Sequence, residues 1–177
     1  DAHSSFPVEA LAVSPDGRLL AAVGANQSVL VWDIATRRVM ATCPRKVRFV
    51  HDLAFAPDGT RLAIADERGA IFLWDLRGQR PVRKLVGHAG PVNMLAFSPD
   101  GRTLASAGMD HTIRLWHPEI DQEVAILTGH GEWVWCIAFA EHGNVLLSGG
   151  RDGILKLWQA ASWDEIKADE RIASFHP

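Results

Sequence analysis

The sequence predicts an all-β chain made of four copies of one four-stranded antiparallel sheet. Three observations predict it. Trp32, Trp74, Trp116 and Trp158 lie forty-two residues apart, and the spacing never slips. A turn recurs in step with them as Pro15-Asp16-Gly17, Pro57-Asp58-Gly59 and Pro99-Asp100-Gly101, and decays to Glu141-His142-Gly143 in the last copy. Between the turns lie only short apolar runs rich in Val, Ile, Leu and Phe. A fixed period of this size marks a repeat architecture, in which function sits on a surface shared by several repeats.

Each copy is read in the same order. The first runs are 8–13, 50–55, 92–97 and 134–139, each ending at the Pro-Asp-Gly-like turn. The second are 19–23, 62–65, 104–107 and 145–148. The third, 29–32, 71–74, 113–116 and 154–158, end on the periodic tryptophans. The fourth are 38–42, 82–86, 124–127 and 171–175. Short β-branched and aromatic runs bounded by Gly, Pro, Asp and Asn have a strand signature. In Pro-Asp-Gly, proline presets φ and glycine takes a conformation that a side chain opposes. The first three runs of each copy are joined by links too short for a crossover helix, so neighbouring strands pair antiparallel. One such sheet cannot bury both of its apolar faces. Radial stacking into a propeller buries each against a neighbour.

At these residues the chain resembles the WD-repeat β-propellers. Gly87-His88 and Gly129-His130 match the family's Gly-His pair, and Trp32-Asp33 and Trp74-Asp75 match its Trp-Asp end. Ala107-Gly108-Met109-Asp110 and Gly149-Gly150-Arg151-Asp152 match the turn that carries its structural aspartate. The resemblance covers nearly all of the chain and implies blades at about 4–45, 46–87, 88–129 and 130–175. It also implies a buried polar network: His88, Ser106, Asp110 and Trp116 in the third repeat, and His130, Ser148, Asp152 and Trp158 in the fourth. Earlier repeats depart from it, with Lys46, Ile64 and Arg68 in the second and Ser4, Ala22 and Asn26 in the first. Replacing all partners together leaves none buried and unpaired, so those blades are expected to rely on apolar packing and to have less rigid turns.

Ser, His and Asp together also resemble a hydrolase triad. A nucleophile must be accessible and accompanied by oxyanion donors. A trio that recurs at the repeat period beside a tryptophan, as in the third and fourth repeats, is the pattern packing produces, and the structural reading is preferred. The inner runs repeat Ala12, Ala54, Ala96 and Ala138, with no functional group. No catalytic residue, cofactor or metal is expected.

Composition narrows the classes further. The chain has 177 residues, of which 47% are apolar, and 18 basic against 21 acidic residues give a net charge of −3. That balance disfavours a nucleic-acid backbone as ligand. The one basic cluster, Arg45, Lys46 and Arg48 with Arg37 and Arg38 nearby, reads as a solvated edge. Cys43 and Cys136 provide neither a disulfide framework nor metal spacing, and Cys136 is expected to be small and buried. No stretch resembles a signal peptide or a membrane span, so a cytoplasmic setting is the expectation. The segment 159–170 carries Ser162 and Glu165 in capping-box spacing and Trp163, which predicts a turn or two of helix. His176-Pro177 echoes the start of a further repeat, and the chain begins at Asp1 without methionine, which together read as a cut from a longer propeller.

Four blades of this kind form an open arc with an apolar face at each end, so a partial or half propeller is expected. Three completions stay open: further blades of a parent protein or a second chain, two copies forming one ring, or a small closed ring of four.

Partners in this family dock on the side nearest the Gly-His loops. The resemblance places Glu9, His51, Asn93 and Trp135 there, with Glu67, Met109 and Arg151 just before the structural aspartate position and Trp133 beside Trp135. These positions vary while the scaffold around them repeats. Trp135 is the sharpest candidate, because aromatic side chains supply large contact area at modest entropy cost. The leading reading is a non-catalytic scaffold for a protein or peptide. A second is the regulatory or sensor region of a bacterial signalling kinase or ATPase, implied by likeness to bacterial WD-repeat regions. A propeller-based enzyme ranks below both.

Overall fold

A computed structural model describes residues 9–23, 28–44, 47, 49–78, 82–140 and 142–159. The first sheet runs β1 (Leu11–Val13), β2 (Leu19–Val23), β3 (Val29–Asp33) and β4 (Arg38–Thr42). The second holds β5 (Val50–Phe55), β6 (Arg61–Asp66), β7 (Ala70–Asp75) and β8 (Arg83–Val86). The third holds β9 (Val92–Phe97), β10 (Leu104–Gly108), β11 (Ile113–His117) and β12 (Gln122–Leu127), and the fourth β13 (Val134–Phe139), β14 (Val145–Gly150) and β15 (Leu155–Gln159). Each sheet is antiparallel and ordered as the chain runs, and no closure into a full ring appears among the described residues. The expected strand at 171–175 and the helical turn around Trp163 lie outside the described residues. The first strand starts at Leu11, later than the expected position 8, which also lies outside them.

The period-two alternation of each strand gives every sheet two unlike faces. One is lined by large side chains, such as Leu53, Phe55, Leu62 and Trp74 in the second sheet. The other is lined by small ones near the centre, Ala54, Ala63 and Ala65, with Ile71 and Leu73 on the third strand. Large faces pack on the small face of the preceding sheet, forming three cores in chain order. Inner strands touch in the same order, β1 on β5, β5 on β9 and β9 on β13. The second and third sheets are also joined at the Pro-Asp-Gly end. Arg83 reaches the Asp121 carboxylate at 2.8 Å and donates to the carbonyls of Pro118 and Glu119, and Arg61 lies 2.8 Å from Glu119. A polar cleft there holds Arg61, Arg77 and Arg83 opposite Asp58, Asp75 and Glu119, so its charges are matched.

The alternation is broken at one place in each complete inner strand. Asp66 pairs with Val50 while Ala65 pairs with Asp52, so His51 bulges out of register. Asn93 and Trp135 are skipped in the same way in β9 and β13. A bulge inserts one residue, bends the strand and re-aims a side chain. Here it keeps Val134 and Ile137 on the core face although they are three residues apart. Trp135 is displaced out of the sheet.

Candidate interaction surface

A buried polar network recurs in the third and fourth repeats. His88 lies between Asp110, with Nδ1 2.9 Å from each carboxylate oxygen, and Ser106, with Nε2 2.8 Å from Oγ. The Trp116 indole N–H donates to the same hydroxyl at 2.8 Å. In the fourth repeat His130 sits 2.8 Å from both Asp152 and Ser148, and Trp158 donates to Ser148 at 2.8 Å. The network assigns the tautomer: Nδ1–H donates to the carboxylate, and Nε2 accepts the serine proton. Each aspartate also holds the Gly-His loop of its own repeat, accepting from the Ala89 and Gly131 amides. Burial opposes ionisation of Asp110, but hydrogen bonds from His88, Ala89 and Thr112 outweigh it and hold the carboxyl well below its usual range. Asp152 is lowered on the same balance, burial against donation from Ile154, His130 and Gly131.

Ser106 and Ser148 are buried, and each hydroxyl is engaged by histidine and tryptophan at once. A nucleophile so placed cannot meet a substrate, so the trios are packing elements. Among the described residues no group of three His, Cys, Asp or Glu is placed to hold a metal ion, and no helix is long and apolar enough to cross a membrane.

The divergent second repeat solves the same turn differently. Gly108 and Gly150 sit over the two networks, where an added Cβ would lie 2.5 to 2.6 Å from the histidine Nδ1. The second repeat lacks that histidine and carries Asp66 at the equivalent position. The Asp66 carboxylate accepts from the Ala70 amide at 2.7 Å and the Arg68 amide at 3.0 Å. A substitute carboxylate thus holds this turn where the histidine network is missing. Ile64 is fully buried, as the apolar reading expects. Ser4, Asn26 and Lys46 lie outside the described residues.

Six of the eight candidate partner residues fall into two clusters. A backbone bridge recurs in three repeats: the Glu67 amide donates to the Phe49 carbonyl, Met109 to Pro91, and Arg151 to Trp133. It ties the residue before the structural aspartate position to the residue before the inner strand. In the first cluster Glu9, His51 and Glu67 line one cleft of about 380 Å3 with Phe49 and Val50. Phe49 was not among the expected site residues, yet its ring is exposed and its φ is +48°, a region costly for a bulky side chain. In the second cluster the Trp133 and Trp135 rings meet edge to face at 5.8 Å, and the Arg151 guanidinium lies 4.7 Å from the centre of the Trp133 ring. Trp135 remains 48% exposed.

The other two candidates differ. The Asn93 amide donates to the Val134 carbonyl at 2.8 Å, which couples the third sheet to the fourth. Met109 packs near Gly90 and is half-buried. His111, in the turn beside Met109, was also missed. It holds φ at +67° where the second and fourth repeats have Gly69 and Gly153, and it is exposed. The sequence signal for it is a non-glycine at a position that glycine otherwise fills.

Cys136 is corrected as well. It is exposed, not buried, with Sγ 3.8 Å from the Gly149 carbonyl. Its counterparts Asp52 and Met94 lie against the next sheet, whereas no described residue covers the fourth sheet on that side.

No curated protein matches the chain. The family model for the WD domain, G-beta repeat, matches it four times, at residues 1–33, 39–75, 79–117 and 121–159. With most of its length matched in four consecutive units, and the histidine–serine–tryptophan networks at their expected places, the chain belongs to the WD-repeat family.

Proposed function

We propose that this chain is a non-catalytic scaffold that presents the Gly-His end of its sheets to a protein or peptide. The observation that carries the reading is the Trp133–Trp135–Arg151 cluster. The fold places a bulge under Trp135 and leaves half of the indole in water, although burying an aromatic side chain of this size is strongly favourable. Arg151 is held over Trp133 with its outer edge free for solvent. The pair fits a partner segment that carries a carboxylate beside an apolar side chain. Arg151 supplies a guanidinium for the carboxylate, and Trp135 supplies contact area.

The test is an array of immobilised peptides in which acidic and apolar residues are varied independently. It is probed with the chain, with Trp135→Ala and with Arg151→Glu. The reading expects selection of acidic–apolar segments, loss of all signal with Trp135→Ala, and a shift toward basic segments with Arg151→Glu. Selection that both variants retain unchanged would reject this site.

A further inference from the structure

Trp135 projects from a bulge, and the peptide units on both sides of it are held by hydrogen bonds. The Arg151 amide donates to the Trp133 carbonyl at 2.7 Å. The Asn93 side-chain amide donates to the Val134 carbonyl at 2.8 Å, and the Ile137 amide donates to the Met94 sulfur at 3.4 Å. Asn93 and Met94 are neighbours on the inner strand of the third sheet, so β9 grips β13 before and after the displaced tryptophan.

The two grips differ in kind. The one from Met94 has a counterpart at the preceding boundary, where the Asp52 carboxylate accepts from the Leu95 amide at 2.7 Å. It belongs to the way these sheets stack. The one from Asn93 has none among the described residues. Glu9 and His51 hold its position in the first and second repeats, and neither donates to the inner strand that follows it. Yet β5 and β9 bulge all the same. The Asn93 bond is therefore an addition to the bulge and not its cause, and it occurs under the bulge that carries an exposed indole.

The geometry shows what the bond adds. The Val134 carbonyl belongs to the planar peptide unit that joins Val134 to Trp135. Holding its oxygen sets the tilt of that plane, and with it the direction in which the Trp135 side chain leaves the strand. A carbonyl only accepts, so the Asn93 side-chain nitrogen must face it, and an acceptor there cannot serve. Val134 is fully buried, so its carbonyl is shielded from water that could take the place of the amide.

We propose that Asn93 is a positioning residue for the Trp133–Trp135–Arg151 cluster: from the neighbouring sheet it fixes the peptide plane that aims Trp135 against Trp133, and it acts on binding through Trp135. Its effect on a partner rests on the scaffold reading above. Its effect on the tryptophan pair does not, and can be read with no partner present.

The two indoles meet edge to face at 5.8 Å with 76° between their planes, close enough for their excited states to couple. Coupled indoles give a pair of circular dichroism bands of opposite sign whose size follows the ring geometry. Loss of the pair in Trp133→Phe assigns it. The band pair is expected to be lost in Asn93→Ala, and in Asn93→Asp, which keeps the shape of the side chain and offers no donor, while thermal melting stays cooperative. His51→Ala, at the same bulge position two repeats earlier, is expected to leave the pair at full size. Affinity for the acidic–apolar peptide that the array ranks first is expected to fall about two- to tenfold in both Asn93 variants, the worth of one hydrogen bond. A band pair that both Asn93 variants retain would overturn the proposal. So would weaker peptide binding with the band pair intact, which would make Asn93 a contact residue. If the band pair depends on Asn93 but the wild type binds no array peptide, the positioning role stands and the scaffold reading fails.

Discussion

Replacing Ser106 with alanine tests the buried network at the point where most is shared. One hydroxyl serves both His88 Nε2 and the Trp116 indole N–H, each at 2.8 Å, and all three side chains are buried. Removing it leaves two polar groups without a partner. Each such group costs about 1–3 kcal/mol, so Ser106→Ala is expected to lose about 2–6 kcal/mol. That is a large share of the roughly 5–15 kcal/mol that holds a typical domain together. Ser148→Ala in the fourth repeat is expected to lose less, because Trp158 is only half-buried and water can replace the hydroxyl there. Urea unfolding followed by circular dichroism reads both as a shift in midpoint at constant slope. The double variant Ser106→Ala/Trp116→Phe is expected to lose less than the sum of its parts, since no indole N–H is then stranded. A loss below about 0.5 kcal/mol for Ser106→Ala, or strict additivity in the cycle, would refute the shared-hydroxyl account.

Three further outcomes follow from the same geometry. Asp110 is held below its usual range, so the unfolded chain binds its proton first as pH falls. The stability Asp110 supplies is complete above the ordinary carboxylate value of 3.8 and is lost as pH falls below it, and Asp110→Asn is expected to flatten that part of an acid titration. Asp52 is the opposite case: burial raises its carboxyl, so its ionisation weakens the fold as pH rises through 3.8. Asp52→Asn keeps an acceptor for the Leu95 amide and is expected to hold or raise the melting temperature at pH 7, with no gain at pH 3. Gly108→Ala would place a methyl group 2.5 Å from His88 Nδ1 and Asp110 Oδ1, and is expected to cost about 1–3 kcal/mol, while Gly131→Ala, with nothing within 4 Å, is expected to be silent in the same melt.

The fold was legible because the period, the turns and the tryptophans repeat the same physical instruction in every copy. The networks were legible for the same reason, through matched positions at His88 and His130. What alternation could not give was the local break in alternation. The bulges at His51, Asn93 and Trp135 depend on which partner residues the neighbouring strand offers, a pairing invisible in one strand alone. Cys136 was misread because its position is buried wherever a further sheet follows. Asn93 looked like a surface residue, but its amide is spent on Val134 across a sheet boundary, a contact forty-one residues away. Asp66 escaped notice because it replaces a glycine, and only the three-dimensional proximity of Gly108 to His88 explains why the exchange goes with loss of the histidine.

The scaffold reading is tested most directly by amide exchange of the chain with and without the peptide that the array ranks first. Slowed exchange is expected around Trp133–Trp135 and at Arg151 and Asp152, with β4, β8 and β12 unaffected. Because aromatic anchors carry a disproportionate share of binding energy, Trp135→Ala should abolish that protection at equal peptide concentration. Protection confined to the outer strands, or left intact in Trp135→Ala, would contradict the account.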